Sequence, residues 1–300
     1  MERSTTSKLS IDESDIDKAR NIPSCSHGKA LKFNRLDKKS GITREFYACS
    51  SSRDRKVCSL FYWVDDWARK LKSGSAIVRD LSQARPPREK KARVDADLGL
   101  SALTDNSTNA QFLFDSNSID LIIRILVRYF ESNNTYVKKV LCIGTPSVHK
   151  RLLELNGFDS VLLDDDDRLG SILANFRRFN MFNGNLYGNE TSSLDDDFRV
   201  VVIDPPFHPE LLPALFKSIE RIFPCSLKSS LVLFAFPYFH KVRLESASRG
   251  LLQITDIRMT YRNHKKYKTE HRSPVRLFTS CHDFLEQFLS SSTLSRKPES

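Results

Sequence analysis

The stretch that decides the fold is Val200-Val201-Val202-Ile203-Asp204-Pro205-Pro206-Phe207. Its first half is a short apolar run, which is typical of a buried strand in a parallel sheet. Its second half places an acid, two prolines and an aromatic ring where that strand ends. Ligands of open α/β sheets bind at the carboxyl ends of strands, so this tetrapeptide is a candidate binding site. It could equally be a turn that ends the strand, because Pro-Pro commonly does so.

The residue types of the tetrapeptide suit a planar amino group as the ligand. The Asp204 carboxylate can accept hydrogen bonds from N–H groups. Proline lacks an N–H donor and holds the preceding residue extended, so the carbonyls around Pro205 and Pro206 stay available to a substrate. Phe207 can stack on a base. We therefore take Asp204, Pro205, Pro206 and Phe207 as the candidate catalytic residues of an enzyme that methylates such an amine.

Composition indicates an ordinary soluble protein with a polyanionic partner. The 300 residues are 40% hydrophobic and 28% charged, and 47 basic against 37 acidic side chains give a net charge of +10. That excess suits nucleic acid but does not identify it. The first twenty residues do not read as a signal peptide, and the longest apolar runs are too short to span a bilayer. We expect an intracellular protein whose six cysteines are metal ligands or core residues.

Strand and helix patterns alternate along the second part of the chain, which predicts a parallel sheet covered on both faces. The predicted strands are residues 139–143, 160–164, 199–204, 230–237, 252–261 and 275–280, and the predicted helices are residues 118–130, 147–156, 209–223 and 239–247. Ser118 and Ser147 are the predicted helix N-caps. The fold class is therefore α/β: a doubly wound, Rossmann-like, mostly parallel sheet with a C-terminal antiparallel hairpin.

The domain organisation follows from shifts in composition. We predict a disordered segment (1–20), a small cysteine-rich domain (21–68), a basic linker (69–100), a catalytic domain (101–289) and a flexible tail (290–300). The linker carries a basic run at residues 85–93. This run either contacts nucleic acid or is a solvated tether.

Four residues of the cysteine-rich domain have the chemistry of a zinc site. Cys25, His27, Cys49 and Cys58 supply thiolates and an imidazole at close spacing, and four protein ligands would make the site structural. On spacing alone, three core cysteines and a surface histidine are about as plausible. The surrounding segments, residues 44–49 and 58–63, resemble the GRF-type zinc finger. That resemblance implies one structural Zn²⁺ and single-strand binding, with Phe46 and Trp63 packed inside the finger.

The turns of the predicted sheet contain candidate donor-site residues. Gly144 follows the first strand but lacks a full G-x-G-x-x-G pattern, so the motif is weak. Asp164 and the acids after it end the second strand, where a carboxylate can bind ribose hydroxyls, although most of this acidic run could be a solvated loop. Asn180 could place an amide at an adenine edge, or it could lie in an amphipathic helix.

Taken in order, several segments resemble the ribosomal-RNA adenine-N6 methyltransferases with GRF- and CCHC-type zinc fingers. They are residues 111–114, 141–146, 179–183, 204–207, 236–239 and 273–279. The resemblance implies S-adenosylmethionine as the methyl donor and an adenosine of large-subunit ribosomal RNA, held by residues 204–207, as the acceptor. The donor contacts would come from Gln111, Phe112, Leu113, Phe114, Gly144, Asp164, Asp166, Arg168 and Asn180. The substrate implies a nuclear and nucleolar location, with the cytoplasm as a second one.

The chain departs from this family after the catalytic domain, where members carry a Cys/His-rich zinc region. Only Cys281 and His282 stand there, and they cannot form a zinc site. We therefore expect RNA to be held by the finger and by a basic, aromatic excursion between the last two strands. Its candidate RNA contacts are Lys265, Lys266, Lys268 and Arg272. An exposed basic loop without a ligand is the alternative.

Two other functions fit parts of the sequence. A protein lysine methyltransferase can use the same fold and the same Asp-Pro-Pro-Phe ending, but the finger and the basic excursion disfavour it. A catalytically weak RNA-binding scaffold would keep the fold without turnover, and the intact residues 204–207 disfavour that.

Overall fold

The computed structural model describes residues 21–36, 41–52, 55–76, 100, 111–188, 194, 197–223 and 227–294. The segment predicted to be disordered (1–20) and the basic run at 85–93 lie outside these residues. The chain divides between residues 87 and 88 into two compact units.

The first unit is built from short antiparallel strands. Strands β1 (Ser24–Cys25) and β2 (Gly28–Lys29) form a tight hairpin, and β3 (Leu31–Leu36), β4 (Thr43–Ala48) and β5 (Phe61–Trp63) form a three-stranded sheet. Helix α1 (Val64–Lys72) follows β5 directly. Its Trp67 is buried and packs on Tyr62, with ring centroids 4.9 Å apart. Helix α1 continues past residue 68, the predicted domain end, to Lys72.

The second unit contains the predicted doubly wound sheet. Its strands are β6 (Lys138–Ile143), β7 (Phe158–Asp164), β8 (Phe176–Asn180), β9 (Asn185–Leu186), β10 (Val200–Ile203), β11 (Leu231–Pro237), β12 (Gln253–Arg258) and β13 (Val275–Thr279). Their order is β12-β13-β11-β10-β6-β7-β8-β9. Strand β13 is antiparallel to β11 and β12, β9 is antiparallel to β8, and the other pairs are parallel. The α/β fold class and the C-terminal antiparallel hairpin are confirmed.

Helices cover both faces of this sheet. They are α2 (Ser116–Ser132), α3 (Pro146–Leu153), α4 (Leu212–Ile222), α5 (Lys241–Ala247) and α6 (His282–Leu294). Side chains of α2, α3 and α6 pack in one core with alternate strand residues, while α4 packs on the other face through the stacked rings of Phe216 and Phe234. Full burial of such side chains contributes about 1.5–3 kcal/mol each. Among the described residues, every helix is too short or too polar to traverse a bilayer.

Three local predictions are wrong. Asp115, not Ser118, caps α2, because its carboxylate accepts from the Ser118 N–H at 2.8 Å. Ser147 lies inside α3, whose N-cap is Thr145. The Ser-rich segment from residue 290, predicted to be a flexible tail, continues helix α6 to Leu294.

The order of the strands places the ligand crevice. The chain runs from β6 to β7 and β8 in one direction and to β10 and β11 in the other, so the order reverses between β6 and β10. In an open α/β sheet, ligands bind outside the carboxyl ends of the strands at such a switch point. Gly144 follows β6 and Asp204 follows β10, so both border this crevice.

Candidate functional site

The two strand ends at the switch point lie very close together. Gly144 has a φ of +67°, and a Cβ atom at this position would lie 2.7 Å from the Asp204 carbonyl oxygen and 3.1 Å from Met181 Cε. The Asp204 N–H donates to the Ile143 carbonyl at 3.1 Å. A side chain at position 144 would therefore displace the backbone of Asp204. The glycine is required by this backbone approach as well as by its left-handed conformation.

Asp204 is a half-buried acid with a tyrosine partner. Its Oδ1 accepts a hydrogen bond of 2.8 Å from the Tyr261 hydroxyl. Burial raises the pKa of Asp204 well above its ordinary range, and the hydrogen bond from Tyr261 offsets only part of that shift. Burial and the neighbouring Asp204 charge raise the pKa of Tyr261 as well, so Tyr261 remains a neutral donor at physiological pH.

Aromatic rings surround Phe207, the predicted base-stacking residue. Its ring centroid lies 5.6 Å from Phe236, 6.3 Å from Tyr261 and 6.4 Å from Tyr267. Tyr267 in turn stacks on His264, with centroids 3.9 Å apart and planes 13° apart. Phe207 is only half-buried, so part of this aromatic group faces outward. Its rings can hold a planar ligand beside Asp204.

The predicted donor residues at the end of β7 form one polar cluster. The Gln111 amide donates to Asp164 Oδ1 at 3.4 Å and to Asp166 Oδ2 at 3.2 Å, across more than fifty residues of sequence. Arg168 binds the Asp166 carboxylate with both Nε and a terminal nitrogen. Asp164 is buried, and burial raises its pKa to about 7, against the hydrogen bond from the Asp166 N–H, which lowers it.

The other predicted donor residues differ in exposure. Phe112 is exposed by 49% and its ring contacts His264, with centroids 4.7 Å apart. The side chains of Leu113 and Phe114 are buried in the core, so only their backbone can face a ligand. Asn180 is buried, and its side-chain oxygen accepts from the N–H of Phe182 at 3.0 Å. Asn180 thereby shapes the turn after β8.

One asparagine joins the donor-side segment to the loop between β12 and β13. The Asn263 side chain accepts from the Leu113 N–H at 2.8 Å and donates to the Gln111 carbonyl. The Arg262 N–H donates to the Leu113 carbonyl at 2.9 Å. The candidate RNA contacts Lys265, Lys266, Lys268 and Arg272 lie on this loop and are exposed.

Tyr261, Asn263, His264 and Tyr267 were not among the predicted site residues. Tyr261 follows β12, which runs in the same direction as β11, so it lies at the same edge of the sheet as Phe207; this placement depends on the strand order, which the sequence alone does not give. No sequence signal distinguishes Asn263 from the polar residues around it.

The predicted zinc ligands converge in the first unit. The ligand atoms of Cys25, His27, Cys49 and Cys58 all lie within 4.8 Å of one another. Zinc bonds of about 2.0–2.3 Å in a tetrahedron require separations of roughly 3.5–3.8 Å, so small shifts would close the site. The hydrogen bond from Cys25 lowers the pKa of Cys49 to about 4, which makes Cys49 a thiolate, the form that binds metal. The cluster can hold a zinc ion.

The sheet of the first unit carries a half-exposed aromatic face. The rings of Phe33, Phe46, Phe61 and Trp63 contact one another at centroid distances of 5.0–5.9 Å. The guanidinium of Arg44 lies 4.0 Å from the Trp63 ring and that of Arg55 lies 4.1 Å from the Phe61 ring. Phe46 and Trp63 thus pack as predicted, but in a face that solvent reaches.

Comparison with known proteins identifies the family of the second unit. Residues 105–282 match the family model described as "Probable N6-adenine methyltransferase". The chain belongs to this family. As an N6-adenine methyltransferase family member, it carries the sequence Asp204-Pro205-Pro206-Phe207 within the matched region.

Curated relatives and solved structures show further similarity. The rRNA N(6)-adenosine-methyltransferase ZCCHC4 is 27% identical in Homo sapiens over 88% of this chain and 65% of the relative, and 27% identical in Xenopus laevis over 86% and 66%. The chain thus spans about 65% of the length of these relatives. A TehB-like SAM-dependent methyltransferase from Corynebacterium glutamicum is 13% identical, with a TM-score of 0.34 over 55% of this chain and 97% of that one. An S-adenosylmethionine-dependent methyltransferase from Clostridium acetobutylicum is 11% identical, with a TM-score of 0.35 over 54% and 89%.

We predict that the chain binds one zinc ion at the cluster of Cys25, His27, Cys49 and Cys58. Cys49→Ser removes a thiolate ligand and should abolish stoichiometric zinc and unfold the first unit, while the second unit still melts cooperatively. Cys281→Ser, which changes a thiol of the second unit, is the matched control and should keep its zinc. Elemental analysis and thermal melting measure both effects. Zinc-free wild type, or full zinc in Cys49→Ser, contradicts the assignment.

We also predict that donor binding depends on the charge of Asp164. Because burial raises its pKa to about 7, lowering the pH protonates the carboxylate and removes an acceptor for ribose hydroxyls. Affinity for S-adenosylhomocysteine should therefore fall up to about tenfold per pH unit below that pKa. Titration calorimetry between about pH 6 and pH 8 measures this.

Two matched variants distinguish the titration of Asp164 from other effects of pH on S-adenosylhomocysteine affinity. Asp164→Asn should bind weakly and with a flat pH dependence. Asp159→Asn changes an exposed acid at the start of β7 and should behave like wild type. A wild-type affinity that does not vary with pH would remove Asp164 from the donor site.

Proposed function

We propose that this chain transfers a methyl group from S-adenosylmethionine to N6 of an adenosine in ribosomal RNA. The observation that carries the proposal is the position of Asp204, Pro205, Pro206 and Phe207 at the switch point, in a chain that belongs to the N6-adenine methyltransferase family. Similarity to relatives named rRNA N(6)-adenosine-methyltransferase supports ribosomal RNA as the substrate. A nuclear and nucleolar location follows from this substrate and remains a prediction.

The residues at the ends of β6 and β7 fit the methyl donor. Gly144 leaves the strand end free of a side chain, and the cluster of Gln111, Asp164 and Asp166 offers acceptors for hydroxyl groups. Phe112 adds an exposed ring at the same edge. When bound, S-adenosylmethionine supplies an electrophilic methyl group on a sulfonium, which leaves readily. Positioning of the amine then accounts for most of the acceleration.

Residues 204–207 position the amine. The lone pair of N6 is delocalised into the adenine ring, which makes the amine a poor nucleophile. Asp204 and the Pro205 carbonyl would accept its two hydrogens and turn the lone pair toward the methyl group. Phe207 would stack on the base, which must be unpaired or flipped out of a helix.

The environment of Asp204 also suits it to accept the proton that N6 releases on methylation. A carboxylate whose pKa is raised by burial has a higher proton affinity than an exposed aspartate. Tyr261 donates to Oδ1 at 2.8 Å and so fixes the orientation of the carboxylate. Oδ2 is then the oxygen that can face the amine, so Asp204 can both orient N6 and take up its proton.

Two surfaces can hold the RNA. In the first unit, Arg44 and Arg55 lie over the aromatic face formed by Phe33, Phe46, Phe61 and Trp63. Exposed rings beside guanidinium groups can bind single-stranded RNA. In the second unit, the exposed side chains of Lys265, Lys266, Lys268 and Arg272 can contact phosphates. Both surfaces are consistent with the net charge of +10.

The direct test supplies labelled S-adenosylmethionine to total RNA and total protein, followed by nuclease or protease digestion. Label recovered as N6-methyladenosine from ribosomal RNA is expected. Label that survives nuclease but not protease would indicate a lysine methyltransferase. Absence of label despite RNA binding would indicate a scaffold without turnover.

We predict that turnover requires ionised Asp204. Asp204→Ala should retain affinity for S-adenosylhomocysteine and lose about one to three powers of ten in kcat/KM. In wild type, kcat/KM should fall as the pH drops through the raised pKa of Asp204. Because the Tyr261 hydrogen bond lowers that pKa, Tyr261→Phe should move this acidic limb to higher pH.

A matched control is Tyr136→Phe, because Tyr136 is 99% exposed and precedes β6 at the opposite edge. Its pH profile should overlay that of wild type. The mechanism is contradicted if Asp204→Ala turns over at the wild-type rate. It is also contradicted if the acidic limb of the pH profile of kcat/KM stays in place in Tyr261→Phe.

We predict that the lysines of the β12–β13 loop contact phosphates. Replacing Lys265, Lys266 and Lys268 with alanine should flatten the plot of log affinity against log salt by up to about 2 units, at roughly 0.7 per contact with a single strand. Donor affinity measured without RNA should stay constant. Parallel salt plots for wild type and variant would mean that this loop is only solvated.

A further inference from the structure

Two adjacent aromatic side chains at the carboxyl edge of the sheet have no role in the chemistry described above. Tyr238 and Phe239 follow β11 directly and are exposed by 51% and 60%. Their ring centroids lie 5.7 Å apart, with planes at 74°. The Tyr238 N–H donates to the Pro274 carbonyl at 3.0 Å, so the backbone of this turn is held in place. Exposed rings on a fixed backbone are typical of a binding surface.

This pair is continuous with the acceptor side of the site. The ring of Phe207 contacts Phe236 at 5.6 Å, and Phe236 contacts His240 at 5.8 Å. His240 in turn contacts Phe239 at 4.6 Å. A row of rings therefore leads from the residue that would stack on the target base to the exposed pair. The linking ring of Phe236 is buried, so the row is packed inside the protein and reaches the surface at Phe239, which places the exposed pair on the acceptor side of the site.

Positive charge lies beside the aromatic pair. Arg276 stands opposite Phe236 in the sheet, and its guanidinium lies 5.4 Å from the Tyr238 ring centroid. Arg258 stands opposite Arg276 on the next strand and is exposed. Burial and the Arg258 charge lower the pKa of Arg276, while Asp256 opposes this only in part. Two neighbouring guanidinium groups favour an anionic partner such as phosphate.

The other cations nearby have acidic partners. Arg243 pairs with Glu210 at 3.0 Å, and Lys241 with Glu245 at 3.7 Å. Arg276 and Arg258 donate only to backbone carbonyls in the hydrogen bonds of the described residues, those of Ser273, Val275 and Glu270, so their charges are not offset by a carboxylate ion pair as those of Arg243 and Lys241 are.

We propose that Tyr238 and Phe239 form a stacking platform for an unpaired nucleotide adjacent to the target adenosine, with Arg276 and Arg258 at its phosphate. The proposal rests on the proposed function and adds a specificity-determining surface to it. Exposed rings combined with guanidinium groups are the chemistry by which proteins bind single-stranded RNA. A protein partner that docks on the same rings is the competing occupant, and the test excludes one of the two.

The test uses the full chain and a single-stranded oligoribonucleotide of about a dozen nucleotides with one central adenosine. Matched oligoribonucleotides carry an abasic nucleotide directly before or after that adenosine. The variant Tyr238→Ala/Phe239→Ala removes both rings, whereas Tyr238→Phe/Phe239→Tyr keeps them. Tyr136→Ala removes an exposed tyrosine from the opposite edge and is the control. Thermal melting confirms that each variant folds.

Loss of the rings should weaken RNA affinity about 5- to 150-fold and raise KM for RNA more than it lowers kcat. The ring-keeping variant and Tyr136→Ala should bind like wild type. An abasic nucleotide at one of the two positions should weaken the RNA affinity of wild type by a similar factor. It should leave the affinity of the alanine variant unchanged, because loss of the base and loss of the rings remove the same contact. The platform would be overturned if an abasic nucleotide weakened RNA binding equally in wild type and in the alanine variant. It would also be overturned if the alanine variant bound RNA like wild type. Either result would favour a protein partner.

The outcome also separates this proposal from the proposed function. Methyl transfer to ribosomal RNA is measured with wild type alone, and its absence would count against the proposed function only. Binding of the abasic oligoribonucleotides does not require turnover, so it tests the platform in either case.

Discussion

The site depends on one close approach, in which the end of β6 meets the end of β10 with no room for a side chain at Gly144. The two strands are in register, with Ile143 opposite Ile203, so the residues after them necessarily face one crevice. The predicted donor residues Gly144 and Asp164 lie at the ends of β6 and β7, and the candidate catalytic residue Asp204 follows β10. The parallel sheet thus places two sets of residues, far apart in sequence, at neighbouring positions.

Burial raises the proton affinity of the Asp204 carboxylate. A carboxylate in a nonpolar pocket loses solvation, which raises its proton affinity and strengthens each hydrogen bond that it keeps. Tyr261 supplies one of these bonds from the segment after β12, and its ring also contacts Phe207. The fold therefore produces a positioned acceptor from ordinary residues.

The architecture could be predicted from sequence because its signals are local. Apolar runs such as residues 200–203 mark buried strands. The spacing of Cys25, His27, Cys49 and Cys58 left the metal cluster undecided, and the resemblance of the surrounding segments to a zinc finger favoured it. The Asp115 cap was missed because its carboxylate also accepts from Thr260, a partner 145 residues away. Helix α6 was missed because its Ser-rich sequence has weak helical periodicity and is fixed by Leu285 packing in the core. Partners such as Tyr261 depend on strand order, which a sequence does not state.

Asn263 has a consequence for the thermodynamics of the ternary complex. Its amide bridges Leu113 and Gln111, so the segment that borders the donor is attached to the loop that carries the candidate RNA contacts. Under the proposed function, these hydrogen bonds would couple RNA binding at the loop to donor binding at Gln111. Linkage requires the two effects to be equal: whatever factor RNA applies to the dissociation constant of the donor, the donor applies to that of RNA. Asn263 would thereby make the saturation of one proposed substrate depend on the concentration of the other.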